Sequence, residues 1–520
     1  MSIQKGQCQI VGKTERAGSL TSWGTKAIVI VLVSSSSPLQ AEGPLPAPSS
    51  AATTEQCAPI VDALCRSKTQ GDEQPAVPWV EPADAVLIQR SEAEWFRYGK
   101  SVFHLPDWLD LGLENRTRFE SYDNPWRANQ RIGDGQSDAQ IALRSRVRVG
   151  LGGNGPLRFV FEGQDARSYL SKDPGDFRDT TTVNEFDILQ LFGSLSLHNV
   201  GGSSLRTDVH FGRMTMDFGR RRLIARNDFR NSTNAFDGLH WQISRDKAWR
   251  VRTFLVEPVI GHETSLDTQN LKSLFWGTYV ENRQLAWFHF DAYYLGLNDR
   301  HPADGSGRRS YSTFGGRLYK LPASGEVDYE IESAWQTGTR DGIDHFAHFQ
   351  HVELGYTIDM PWSPRLLIQY DYASGDRQPG DSHNEGFDSL YGARRYEYMP
   401  TGVFGPFFRT NISSPGWRVV VTPAPGWTLQ LKHRVWYLAE SKDRFGSSGL
   451  RDSTGLAGTS LGHDVEIRIQ WALNHNMDFD AGYDHWFKGS YFDRLPASSG
   501  LPPGGDQDTD YFYFQMRIRI

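Results

Sequence analysis

Gln140-Ile141-Ala142-Leu143-Arg144-Ser145-Arg146-Val147-Arg148-Val149-Gly150-Leu151-Gly152 alternates residue by residue. Ile141, Leu143, Val147, Val149 and Leu151 fall on one parity, and Arg144, Arg146 and Arg148 on the other. Successive side chains of an extended chain point to opposite faces, so this strand carries one aliphatic face and one face of guanidinium groups. A soluble antiparallel sheet with one solvated side also accommodates a single strand of this kind. The same dyad, however, recurs along nearly the whole chain, without the helical segments that a soluble protein of this length usually contains. Apolar out and charged in, repeated, is the signature of a transmembrane β-barrel.

Upstream, Leu109, Leu111, Leu113, Thr117 and Phe119 face one way, while Asp110, Glu114, Arg116, Arg118 and Glu120 face the other. Downstream, strands are predicted over Leu157 to Ala166, Asn184 to Leu197, Leu205 to Met216, Asn234 to Ile243, Ala248 to Glu257 and Ser273 to Val280. Further strands follow over Leu285 to Leu297, Ser310 to Lys320, Val327 to Gly338, Ala347 to Ile358 and Pro364 to Ser374. The last are Phe408 to Thr422, Trp427 to Leu438, Asp464 to Leu473, Met477 to Phe487 and Thr509 to Ile520. The expected fold is therefore all-β: a transmembrane antiparallel up-and-down β-barrel of about eighteen strands, an even number as in single-chain bacterial barrels.

The connections alternate in length. Short ones include 152–155, 244–247, 281–284, 423–426 and 474–476; between them fall long ones such as 122–138, 217–233, 375–407, 439–463 and 488–508. Short periplasmic turns and long extracellular loops are the barrel pattern, which places both ends of the strand region in the periplasm. The last strand sets Phe512, Phe514, Met516, Ile518 and Ile520 on one face and Gln515, Arg517 and Arg519 on the other.

Ahead of the strands, the apolar run Ala27 to Val33 follows Lys26 and precedes Leu39-Gln40-Ala41, which reads as a secretory signal over residues 1–41. No run reaches the roughly 18 apolar residues of a membrane helix. Residues 42–100, rich in Ala, Pro, Ser and Gln, read as a poorly ordered periplasmic extension, leaving 101–520 as the barrel. Cys57 and Cys65 lie in that extension, where an oxidising periplasm would allow them to pair. The net charge of −7 argues against a nucleic-acid partner.

With the apolar face in lipid, the lumen receives Arg116, Arg118, Arg144, Arg146, Arg148, Arg250, Arg252, Lys432, Arg434, Arg468, Arg517 and Arg519, together with carboxylates such as Glu114, Glu162 and Glu466. Eighteen strands leave room for an aqueous channel. Inward residues on one strand stand roughly 6.6 to 6.8 Å apart, comparable with the step between sugar units in an extended polysaccharide. Guanidinium groups keep their charge and bind carboxylates through a planar fork, so a ladder of them can pass an anionic polymer along. The competing reading is that Arg and Glu on neighbouring strands neutralise one another and stiffen the wall.

The run Gly212-Arg213 to Arg222-Leu223, then Asp228-Phe229-Arg230-Asn231 and Ala235-Phe236-Asp237-Gly238, resembles the alginate export family of outer-membrane barrels. So do Tyr372-Ala373-Ser374-Gly375-Asp376 with Phe387-Asp388 and Leu390-Tyr391, and, more weakly, Gly462 to Glu466 with Gly482-Tyr483 and Gly489. This chain departs from the family pattern at Gly392 and Arg394-Arg395, and in placing Asp464 before Glu466. The resemblance implies a porin through which a linear polyuronate leaves the cell. Arg213, Arg222, Arg226, Arg230 and Asp237 are expected as an ionic cluster at the lumen wall, either structural or forming a selectivity constriction. The alternative transport function is uptake of small anions or acidic oligosaccharides. A barrel enzyme would need a nucleophile with a partnered His; the 15 His are scattered and no serine elbow occurs. No metal-ligand spacing and no phosphate-cradling loop is present, so no cofactor is expected. The expected partners are outer-membrane lipid, an anionic polysaccharide and periplasmic export components.

Overall fold

A computed structural model describes residues 103–128, 137–171, 179–245, 248–285, 287–300, 307–395, 397–400, 404–446 and 448–520. The signal, the extension over 42–100 and Cys57 and Cys65 lie outside the described residues. Eighteen strands form one closed antiparallel barrel. They are β1 (Leu109–Asp123), β2 (Ser137–Leu151), β3 (Leu157–Tyr169), β4 (Asn184–Leu197), β5 (Leu205–Met214), β6 (Phe236–Arg245), β7 (Trp249–Ile260), β8 (Ser273–Asn282) and β9 (His289–Asp299). The ring continues with β10 (Arg309–Lys320), β11 (Val327–Arg340), β12 (Ile343–Thr357), β13 (Arg365–Ala373), β14 (Ile412–Val421), β15 (Trp427–Tyr437), β16 (Ser460–Ala472), β17 (Met477–Lys488) and β18 (Thr509–Arg519). Each strand pairs with the next, and β18 returns to β1 from Glu114↔Arg519 to Tyr122↔Tyr511. Closure leaves no free edge, so every strand is hydrogen-bonded on both sides, as a bilayer requires.

Alternation sets the two faces as the sequence predicts. Val147 and Leu151 of β2 are 43% and 42% exposed, while Arg144, Arg146 and Arg148 on the other parity are buried. Trp427 and Trp471 stack at 4.9 Å near the short turns, and Trp335, His348 and Tyr372 stack at 5.0 and 5.3 Å near the opposite rim. These are the two aromatic levels of an outer-membrane barrel. Val147→Arg therefore places a cation in the apolar band and is expected to lower folding stability by up to about 2–4 kcal/mol, whereas Val147→Leu should change it by less than about 0.5 kcal/mol. Urea titration of folding into lipid vesicles measures both; equal stability of the two variants would mean that the outward face is misassigned.

One connection is much shorter than expected. The stretch between Gly338 and Ala347 is strand on both sides of a two-residue turn, Asp341-Gly342, with φ of 52° and 88°. An Asp-Gly pair with both φ positive is the hairpin turn that matches strand twist, so β11 and β12 run on to the rim. The 374–411 connection, by contrast, is long and lies on the same side as the β1–β2, β3–β4 and β5–β6 connections. An epitope inserted at Asp381 should be reached by antibody on intact cells, and one at Ala424 only after permeabilisation. The opposite accessibility would invert the orientation.

Candidate functional site

The charged face of the first strands forms the densest cationic wall of the barrel. Arg517 on β18, Arg116 on β1 and Arg144 on β2 stand directly opposite one another across three neighbouring strands. Arg118, Arg146, Arg148 and Arg519 flank them along the same strands. Like charges placed opposite one another destabilise a sheet, so this row needs compensation. Four wall carboxylates supply part of it. Glu114 accepts from Arg144 at 2.9 Å and Arg519 at 3.1 Å, Glu120 pairs with Arg118 at 3.1 Å, Glu162 lies 3.6 Å from Arg148, and Asp478 accepts from Arg517 at 3.1 Å.

The rest comes from the 215–235 connection, which folds into the lumen instead of remaining outside. The carboxylate of Asp228 lies 2.9 Å from both Arg144 and Arg146 and 3.4 Å from Arg517. The carbonyl oxygens of Asp228 and Arg230 accept from Arg116 at 2.6 and 2.8 Å, Phe229 O accepts from Arg118, and Asn231 Oδ1 accepts from Arg116 at 3.0 Å. Among the described residues no carboxylate closes an ion pair with Arg116, whose partners are all neutral oxygens. Asn231 is anchored in turn, its Nδ2 donating to Leu143 O, Arg167 O and Thr182 O at 3.1, 3.2 and 2.8 Å. Burial would push the Asp228 carboxyl up, but Arg144, Arg146, Arg226 and Arg517 around it hold it well below the ordinary carboxylate range.

The other end of the same segment reaches the far wall. Arg222 lies 2.5 Å from Glu330 and 2.5 Å from Glu397, and also pairs with Glu332. Glu330 and Glu332 belong to β11, which is nine strands on from β2 and so half-way round the ring. A second inserted segment, from the 374–411 connection, joins the first. Ile224 and Tyr391 form a parallel bridge, Ala393 N donates to Arg221 O at 2.8 Å, and Tyr391 N donates to Leu223 O at 3.0 Å. Gly392 is required here because a Cβ at that position would lie 1.8 Å from Arg222 O. Arg395 then reaches Glu466 at 2.7 Å and the Tyr513 hydroxyl at 2.8 Å. The departures from the family pattern at Gly392 and Arg394-Arg395 are thus residues that fit this second segment into the barrel. Aromatic packing seals the two segments to the wall: Phe407 stacks on Trp436 at 3.9 Å, and Phe218 lies against Phe254 at 5.4 Å.

These contacts change the expected picture of the lumen. Arg116, Arg118, Arg144, Arg146 and Arg148 do face inward on adjacent strands, but all are buried and do not line an open aqueous channel: Arg116, Arg118 and Arg144 bind inserted backbone, Arg146 binds the Asp228 and Thr233 side chains, and Arg148 lies beside Glu162. Arg250 and Arg252 of β7 also face inward, sharing Glu281 at 2.6 and 3.0 Å, and Arg252 holds Asp217 O at 2.8 Å at the start of the first segment. Lys432 pairs with Glu466 at 2.7 Å, Arg434 with Asp371 at 2.6 Å and Arg468 with Asp480 at 2.6 Å, which makes a second, charge-balanced wall.

Arg213 and Asp237 require a correction. They pair with each other at 2.9 Å across β5 and β6, but share the outward parity of Phe211 and Leu239, which are 71% and 42% exposed. Their neighbours Met214 and Phe236 take the buried inward positions. Arg213 spends its other donor on Ile188 O and Asp267 O, at 3.3 and 3.2 Å. The pair therefore ties β4, β5 and β6 to the 261–272 connection at the outer wall and does not belong to the lumen cluster.

Glu330, His351 and Glu397 offer ligand atoms within 4.8 Å of one another. Arg222 already binds both glutamates, and His351 Nδ1 lies 2.9 Å from a carboxylate oxygen of Asp371, so both glutamates of this group are engaged by a cation.

Residues that the sequence did not single out as site members, above all Asp228, Arg395 and Glu397, form the centre of these networks, together with Arg517. The signal for Asp228 was the Asp228-Phe229-Arg230-Asn231 motif itself, an acidic residue and an amide within a connection too polar to be strand.

The family model for alginate export matches residues 107–500, which contain both inserted segments and all but the last strand. The chain belongs to the alginate export family. It is an outer-membrane porin, and no membrane-crossing helix occurs among its described residues. Among solved structures it is similar to Pseudomonas aeruginosa OccD3 (OpdP), at 9% identity and a TM-score of 0.51 over 79% of this chain and 91% of that one. It is also similar to Pseudomonas aeruginosa OccK8 (OprE), at 10% identity and a TM-score of 0.51 over 79% of this chain and 98% of that one. At such identities the likeness concerns the barrel fold alone. No curated protein matches the chain. Within the alginate export family frame, the Asp228 motif is an inserted strap lying on the cationic wall.

Proposed function

We propose that this porin carries an anionic polysaccharide, alginate or a related polyuronate, out of the cell by passive passage, without a catalytic step. The observation that carries the reading is the row Arg517, Arg116 and Arg144 on β18, β1 and β2, extended along β2 by Arg146 and Arg148. Three guanidinium groups opposite one another are costly to a sheet that needs only a stiff wall. They suit a surface that must meet carboxylates repeated at sugar spacing, with strands about 4.8 Å apart and inward positions about 6.7 Å apart. In this reading residues 1–41 direct export, residues 42–100 remain in the periplasm, where export components would meet them, and outer-membrane lipid surrounds the barrel.

Purified protein in a planar bilayer, with chloride current recorded before and after adding polyuronate, tests the proposal. Current altered by polyuronate but not by a neutral polysaccharide of the same length is the expected result. Indifference to both would remove the polyuronate assignment. Asymmetry between the two sides of the bilayer separates export from uptake of acidic oligosaccharides, the alternative that the same wall would serve.

A further inference from the structure

We infer that Asp228 to Asn231 is an internal stand-in for the transported anion: a latch that closes the lumen by occupying the arginine wall and is displaced when a polyuronate binds there. The inference rests on the function proposed above and concerns its regulation.

The two ends of the inserted segment are held by opposite chemistry. At the far wall the segment contributes the cation: Arg222 meets Glu330, Glu332 and Glu397. At the near wall, apart from Arg226, which meets Glu162 at 2.9 Å, it contributes oxygens, of which only those of the Asp228 carboxylate are charged. An arriving polyanion competes for arginines and is repelled by glutamates. It can therefore free the Asp228 end while leaving the Arg222 end in place, which makes Arg222 the pivot and Asp228 the catch.

The near end is also the weaker one. Arg116 is satisfied by the carbonyls of Asp228 and Arg230 and by the Asn231 amide oxygen. Exchanging these neutral acceptors for carboxylates gives the guanidinium an opposite charge to pair with and the planar, bidentate geometry that suits it. A polymer offers many such carboxylates at once, whereas the segment offers one. The equilibrium between latched and released forms is thus set by the difference between one tethered carboxylate and several free ones. Without polymer the tether wins through its high local concentration.

Two variants test this in the full-length protein. Asp228→Asn removes the catch charge while keeping shape, and should raise the ratio of open to closed channel in plain chloride about tenfold, the factor that corresponds to 1.4 kcal/mol. Thr181→Cys with Ser232→Cys, in a chain whose Cys8, Cys57 and Cys65 are replaced by Ser, joins neighbours already linked by Ser232 N to Thr181 O at 3.1 Å. Oxidised, this pair should hold the channel closed when short polyuronate is added; reduction should restore opening. Wild type opening on polyuronate, with the oxidised pair silent, is the expected result. A wild-type closed fraction in Asp228→Asn, or an oxidised pair that responds like the reduced one, would overturn the latch. If Asp228→Asn shifts basal current as stated but no form responds to polyuronate, it is displacement by polyuronate, and with it the proposed cargo, that fails.

Discussion

Arg222→Ala is expected to destabilise the barrel by about 3–5 kcal/mol, the cost of breaking a buried ion pair from one side. The guanidinium of Arg222 meets three carboxylates, from Glu330 and Glu332 on β11 and Glu397 in the second inserted segment, and all three are buried. Removing it leaves those charges facing one another with only part of their compensation, from Arg317 and Arg220 at Glu330 and from Arg409 at Glu397. The pH dependence should invert as well. In the wild type, burial would raise the Glu397 carboxyl, but Arg222 and Arg409 hold it well below its ordinary value. A depressed folded-state value contributes stability that is present above the unfolded pKa of about 4.3 and is lost as pH falls through the folded value. In Arg222→Ala the burial contribution gains weight and the carboxyl moves upward, so its protonated form is favoured by folding and stability is regained on acidification. Urea midpoints in detergent at pH 8 and pH 5 should therefore separate wild type and variant widely at pH 8 and less at pH 5. A variant as stable as wild type at pH 8 would show that Arg222 is not the pivot of the segment.

The wall of the barrel was legible in the sequence because it obeys a period of two: all eighteen strands coincide with alternating runs, and charged parity predicted the buried face of β1, β2 and β15. What fills the barrel was not legible, because inserted connections have no period. Asp228-Phe229-Arg230-Asn231 is a polar stretch between strands, and nothing in its spacing says that it turns inward. Its packing depends on Arg116, more than a hundred residues away in the chain. The misplacement of Arg213 and Asp237 has a different origin. Both sit in the motif that resembles the family and were grouped with Arg222 by proximity in sequence, although parity from Phe211 and Leu239 assigns them outward. Strand alternation, a local steric rule, outweighs motif membership in deciding which way a side chain points. The β11–β12 hairpin shows the same rule in a turn: Asp341-Gly342 needs only two residues, and the polar flanks that resembled a loop continue the strand alternation to the rim, with Thr339 and Asp344 outward and His345 inward and buried.

Replacing Arg144, Arg146 and Arg148 together by Gln should shift the channel's ion preference away from anions and abolish its response to polyuronate. The three share β2, and their partners define what is lost. Arg144 and Arg146 are two of the cations holding Asp228, and Arg148 lies beside Glu162. Any single replacement leaves neighbours within a few ångströms that still bind the same oxygens, so single variants should retain most of the response. The triple variant removes three charges from a wall where Arg116, Arg118, Arg517 and Arg519 remain against Glu114, Glu120, Glu162 and Asp478, bringing cations and carboxylates to near balance. Attraction of a polyanion into a narrow lumen depends on that summed field rather than on one contact. High salt should imitate the replacement only in part: a Debye length of about 3 Å at 1 M screens an exposed wall, but guanidinium groups buried under the latched segment are screened much less. The triple variant should also open more readily in plain salt, because two of the four arginines facing Asp228 are gone. Reversal potential in a salt gradient, and current on adding polyuronate, would be compared for wild type and variant after checking the heat-dependent gel shift of the folded barrel. A folded triple variant with unchanged anion preference and unchanged response would leave these arginines as ties for the inserted segment, with no part in recognising the cargo.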